Sequence, residues 1–84
     1  RAMNEATEVI LETLRNNSSV MSASDIHFAI TQAEIDVSVN DVYHQLILLC
    51  ESRHIRCYKQ PEFNGNMIVS HGTYAIDTIS DYSR

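Results

Sequence analysis

The stretch SVNDVYHQLILLCESRHIRC, from Ser38 to Cys57, decides the fold. Ser38 followed three residues later by Asp41 is a helix-start signature, in which a hydroxyl accepts an orphan backbone amide and an acid sits in the first turn. Val39, Val42, Leu46, Leu49 and Cys50, with the stem of Arg53, recur at helical spacing and predict one buried face. The opposite face then carries Asn40, Asp41, His44, Ile47, Leu48 and Glu51, with Tyr43 and Gln45 at its borders. The helix runs into Ile55 to Lys59, whose alternation predicts a strand with Ile55 and Cys57 on one side and Arg56 and Tyr58 on the other. Arg53, Arg56 and Lys59 are the only local cluster of cations in the chain.

The segments before this stretch also read as helical. Ala6, Val9, Ile10, Thr13 and Leu14 predict a first helix from about Asn4 to Arg15, and Glu5, Glu8 and Glu12 line its other side. The early carboxylates and the late Arg15 both suit the helix dipole. Asn16 to Ser19 reads as a loop, and Val20-Met21 as one rung of a small sheet. Ser22 and Asp25 repeat the cap pattern, so a second helix is expected to run to about Ala33. It would bury Ile26, Ala29, Ile30 and Ala33 and turn His27 and Phe28 away.

The chain's only Pro and both glycines (Pro61, Gly65, Gly72) lie in the last third. Pro61 stops the strand. Asn64-Gly65-Asn66 is a turn signal between Phe63 and Met67-Ile68-Val69. Thr73 to Ile76 predicts a further strand, and Asp77 to Arg84 a short helical turn or a loose tail. Tyr58, Phe63 and Tyr74 are expected to pack in the core and hairpin. The expected class is α+β, mostly helical: three helices followed by a C-terminal β-hairpin, in a single domain over residues 1–84.

Whole-chain quantities fit that picture. An 84-residue chain can bury one modest core. Its 44% hydrophobic and 20% charged residues are ordinary for a globular fold. No apolar run approaches the ~20 residues that span a bilayer, and the start does not read as a secretory signal. Arg1 and Ala2 ahead of Met3 read as a cloning remnant. Cys50 and Cys57 suit a reducing compartment, so a cytoplasmic location without a membrane partner is expected. The net charge is −5. Before position 53 the basic residues are Arg1 and Arg15, against Glu5, Glu8, Glu12, Asp25, Glu34, Asp36, Asp41 and Glu51.

Two groups of residues carry a resemblance. Met21-Ser22-Ala23-Ser24-Asp25-Ile26 looks like the start of the second helix in winged helix-turn-helix regulators. Val42-Tyr43, then Leu46, Leu48-Leu49 and Ile55, resembles the recognition helix of the ferric uptake regulator type. The match covers about Ser22 to Arg56 and consists of core residues. Arg53-His54 stands where that family usually has a glycine before the strand, and His44 where a basic residue commonly follows the Val-Tyr pair. The resemblance implies a winged helix-turn-helix fold and a small regulator of transcription. It does not imply iron sensing, because the chain is too short to hold a metal-binding dimerisation domain.

The leading functional expectation is a DNA-binding regulator, dimeric, with double-stranded DNA as partner. Asn40, His44 and Gln45 can hydrogen-bond base edges and Tyr43 can reach a phosphate, while Arg53, Arg56 and Lys59 grip the backbone beside the wing. Asp41 and Glu51 oppose this by repelling phosphate, and Ile47 and Leu48 place apolar surface where a groove wants donors. The alternative is an acidic interaction module that binds a protein or a second copy of itself through Phe28, Ile47 and Leu48. Cys50, His54, Cys57 and His71 have the side chains of a zinc site without the spacing of one. No metal, cofactor or catalytic residue is expected, since neither a phosphate-binding loop nor a nucleophile motif is present and the chain is not expected to be an enzyme.

Overall fold

The computed structural model describes residues 2–17 and 19–77. Three helices, α1 (Ala2–Arg15), α2 (Ala23–Gln32) and α3 (Val39–Glu51), are joined by strands β1 (Met21–Ser22), β2 (Ile55–Lys59), β3 (Glu62–Asn64), β4 (Met67–Ser70) and β5 (Thr73–Ile76). The class is α+β: three helices with a small antiparallel sheet. The tail expectation for 78–84 lies outside the described residues.

Local signals start both central helices where the sequence puts them. The Ser38 hydroxyl accepts from the Asp41 amide at 3.1 Å, and the Asp41 carboxylate accepts from the Ser38 amide at 3.3 Å, a complete capping box. At α2 the Ser22 hydroxyl accepts from the Asp25 amide at 3.1 Å. Both helices also end in the same way. Glu34 and Arg53 take left-handed backbone conformations, with φ of 63° and 64°. The Ile35 amide reaches back to the Ile30 carbonyl, as the His54 amide does to Leu49, and the Glu34 and Arg53 amides reach Thr31 and Cys50. This is the Schellman arrangement, usually closed by glycine. Arg53 therefore supplies the turn that a glycine would supply, and it lies past the helix with its side chain exposed. Its expected packing on the inner face of α3 is corrected.

The core draws on every helix. Ala6, Ile10 and Leu14 of α1, Ala23, Ile26 and Ile30 of α2, and Val42, Tyr43, Leu46 and Leu49 of α3 close over Ile55 and Tyr74 from the sheet. Ala33 is exposed, because α2 ends one residue earlier, and Ala29 is half-buried. His27 does not simply point outward: its Nε2 donates to the Val37 carbonyl at 3.0 Å and fastens α2 to the approach to α3.

The strand pairing differs from the hairpin expected across Asn64-Gly65-Asn66. β5 lies between β1 and β2, antiparallel to both, while β3 and β4 pair only with each other. Ile55 faces Ile76, Cys57 faces Tyr74 and Lys59 faces Thr73, so Tyr58 is an extra residue in β2. A second irregularity falls between Glu62 and Phe63, where Glu62 faces Ser70 and Phe63 faces Ile68. Such bulges bend and twist a strand, and here they turn the β3–β4 arm off the three-stranded sheet. Tyr58 is 59% exposed, so its expected packing role is also corrected.

Gly72 permits the return from the arm to β5. Its φ is +77°, and a Cβ there would sit 2.7 Å from the Lys59 carbonyl oxygen and 3.0 Å from the Pro61 nitrogen. Gly65, in the turn of the arm, has φ of +63° with open space around it. Gly72→Ala is expected to lower the unfolding free energy by about 1–3 kcal/mol through combined clash and backbone strain. Gly65→Ala carries only the backbone part, about 1 kcal/mol. Urea denaturation midpoints at unchanged slope would measure both, and equal losses would contradict the steric account of Gly72.

Candidate interaction surface

The exposed face of α3 carries the residues that its periodicity predicts. Asn40, Asp41, His44, Ile47, Leu48 and Glu51 are all exposed. Ile47 and Leu48 keep 55% and 45% of their surface in solvent, and Phe28 on α2 keeps 64%. Asn40 and His44 share this face with the acids Asp41 and Glu51.

Two residues expected at the borders of this face are engaged elsewhere. Tyr43 is buried, and its hydroxyl lies 2.7 Å from the His71 Nδ1 and 3.4 Å from the His71 carbonyl. It is a core residue and does not reach out to a phosphate. Its ring also meets the edge of Phe63, with centroids 5.4 Å apart and planes at 75°. Gln45 is half-buried, and its Oε1 accepts from the Thr7 hydroxyl of α1 at 2.7 Å. That bond holds two helices together and takes the Gln45 carbonyl away from the surface.

The three cations do not line up beside α3. Arg53 sits exposed in the turn after the helix. Arg56 lies between Ile55 and Cys57, so strand alternation turns it to the sheet face opposite theirs. There its guanidinium stands 3.8 Å from the Asp77 carboxylate. At that distance and exposure the pair contributes little stability, but it offsets part of the local positive charge. Lys59 is exposed at the far end of β2.

Between α3 and the base of the β3–β4 arm lies a half-open pocket of about 380 Å³. Ile47, Cys50 and Glu51 form its helix wall, and Cys57, Phe63 and Tyr74 face them. Phe63 is 50% exposed. The sequence marks it as hairpin packing, and no local signal shows that it would share a pocket with Ile47. Burial pushes the Cys50 thiol up to about 11, with Cys57 nearby adding to the effect. Burial likewise raises Cys57 and Tyr74. Both thiols therefore stay neutral at physiological pH, and the lining is apolar apart from its rim.

Cys50 and Cys57 line this pocket while His71 is bonded to Tyr43, so these candidate zinc ligands serve separate purposes. Among the described residues no three His, Cys, Asp or Glu side chains are grouped so as to hold a metal ion. No helix of the described residues is long and apolar enough to cross a membrane.

Two measurements check this geometry. Tyr43→Phe removes the bond to His71 and should cost about 1 kcal/mol, a fall in Tm of about 4–8 °C for a domain of this size. An unchanged Tm would mean that the bond does not hold the arm. The Cys50 thiol gives a pH dependence with a definite sign. Above pH 9 the unfolded chain releases this proton while the folded chain keeps it until about 11, so stability falls as pH rises through that window. Cys50→Ala should show a smaller drop in Tm between about pH 8 and 10.5 than the parent, and an equal drop would contradict the burial of this thiol.

Comparison of the chain with protein-family models, with curated proteins and with solved structures finds no match.

Proposed function

We propose that the chain is a winged-helix domain that acts as a protein-interaction module, with the outer face of α3 and the β3–β4 arm as its contact surface. The observation that carries this reading is the pair Ile47 and Phe63. Each is at least half exposed, and together they wall one pocket, so apolar residues from two elements form a continuous surface. Scattered apolar residues are normal on any protein, whereas contiguous ones mark interfaces. Leu48 extends the surface along α3. The winged-helix part is supported by the element order and by the placing of β5 between β1 and β2, with the arm standing where a wing stands. The resemblance of Ser22 to Arg56 to winged-helix regulators points the same way. A second copy of the chain is the simplest partner.

DNA binding is the second reading, favoured by the exposure of Asn40 and His44 on α3 and of Arg53 and Lys59 around it. It is weaker on charge. The chain carries −5 overall, and duplex binders commonly neutralise ~6–10 phosphates. With Tyr43 buried and Gln45 bonded to α1, the polar groups open to a groove reduce to Asn40 and His44.

Ile47→Asp and Leu48→Asp are expected to leave the melting curve nearly unchanged and to weaken self-association or partner capture about 30-fold, as for an interface anchor worth about 2 kcal/mol. Analytical ultracentrifugation and pull-down measure this, and unchanged assembly in both variants would overturn the proposal. If DNA is the partner instead, binding to a pool of duplexes will weaken steeply with salt, and Arg53→Glu with Lys59→Glu will abolish it.

A further inference from the structure

We infer that the pocket between α3 and the β3–β4 arm seats one bulky apolar side chain, aromatic or leucine-like, carried on a basic segment of the partner protein. This deepens the interaction reading and rests on it. The volume of about 380 Å³ lies near the lower end of the ~300–1,000 Å³ typical of binding pockets, room for one large side chain and little more. Ile47, Phe63 and Tyr74 offer carbon surface, and the two thiols stay protonated, so nothing in the floor favours a charged guest. Interfaces gain most of their energy from such anchors, which fill desolvated pockets.

Charge decides the flank of the guest. The lining holds one carboxylate, Glu51, and no cation. Glu51 is exposed at the rim, where a lysine or arginine next to the anchor can pair with it. The surplus of acids over the whole chain steers the same kind of partner. The pocket is also assembled in advance. Phe63 rests on Tyr43, and Tyr43 is held by His71, so binding need not first order the arm.

The test uses the intact chain against a phage-displayed library of random 12-residue peptides. The best binder is then synthesised for titration, together with a version lacking its anchor. Because the chain has no tryptophan, a peptide with Trp as its anchor reports burial directly through a blue shift of its emission. Enriched peptides should share one Trp, Phe or Leu with Lys or Arg within one helical turn. Replacing that anchor by Ala should weaken binding at least about 30-fold. Glu51→Lys, a surface change that leaves the core untouched, should weaken it about tenfold, and Cys50→Phe, which fills the pocket, should abolish it. No enrichment, enrichment of acidic or anchorless peptides, or indifference to Glu51→Lys would overturn the inference. So would N-acetyltryptophanamide binding as tightly as the peptide, which would make the pocket a small-molecule site. If Ile47→Asp and Leu48→Asp still break assembly while any of these occurs, the interaction module stands and only the anchor falls.

Discussion

Tyr43 sits where α3, the β3–β4 arm and the turn before β5 meet. Its ring is buried under the edge of Phe63, and its hydroxyl reaches His71. A tyrosine suits this place because it combines a large apolar body with one polar tip, and a buried tip needs a partner. A phenylalanine could fill the volume but could not hold the turn, and a leucine would offer no face to Phe63. Without the contact, the arm has only its own two short strands, and an isolated hairpin is marginal in water. The contact therefore converts a loose extension into one wall of a pocket.

The backbone cooperates by steering the arm back toward α3. The bulge at Tyr58 and the irregularity at Glu62-Phe63 bend the chain away from the sheet and toward the helix. Gly72 lets the return strand pass against Lys59 and Pro61, an approach that no side chain permits. The result places Phe63 opposite Ile47 with the cysteines beneath them. Acidic groups dominate the helical two thirds of the chain, and the cations are scattered around the sheet and the exit of α3. An apolar pocket in an acidic domain is better matched to a basic protein segment than to a phosphate backbone.

Much of this was legible because the signals were local. Ser22 and Ser38 act on amides three residues away, so their caps could be read directly, and helical spacing identified Ile10, Ile26, Ile30 and Leu46 as core. The exposed set on α3 followed from the same periodicity. Two kinds of feature were not legible. Strand pairing depends on contacts distant in sequence, and nothing within Ile55 to Lys59 says that its neighbour is β5 and not β4. Ambiguous residues also depend on context. Tyr43 could as well have been a surface hydrogen-bonding group, and Arg53 could have continued α3. The first was settled by the arm folding over it, and the second by the left-handed turn that ends the helix. The pocket combines both difficulties, since it exists only once the arm is placed.

The central claim is that the β3–β4 arm is fixed against α3 in the free protein. Nuclear Overhauser effects from the Phe63 ring protons test this most directly. The account predicts cross-peaks from that ring to the Tyr43 ring and to the Ile47 methyls, together with uniform backbone order through residues 62–70. An absence of those cross-peaks, with fast backbone motion confined to the arm, would contradict it.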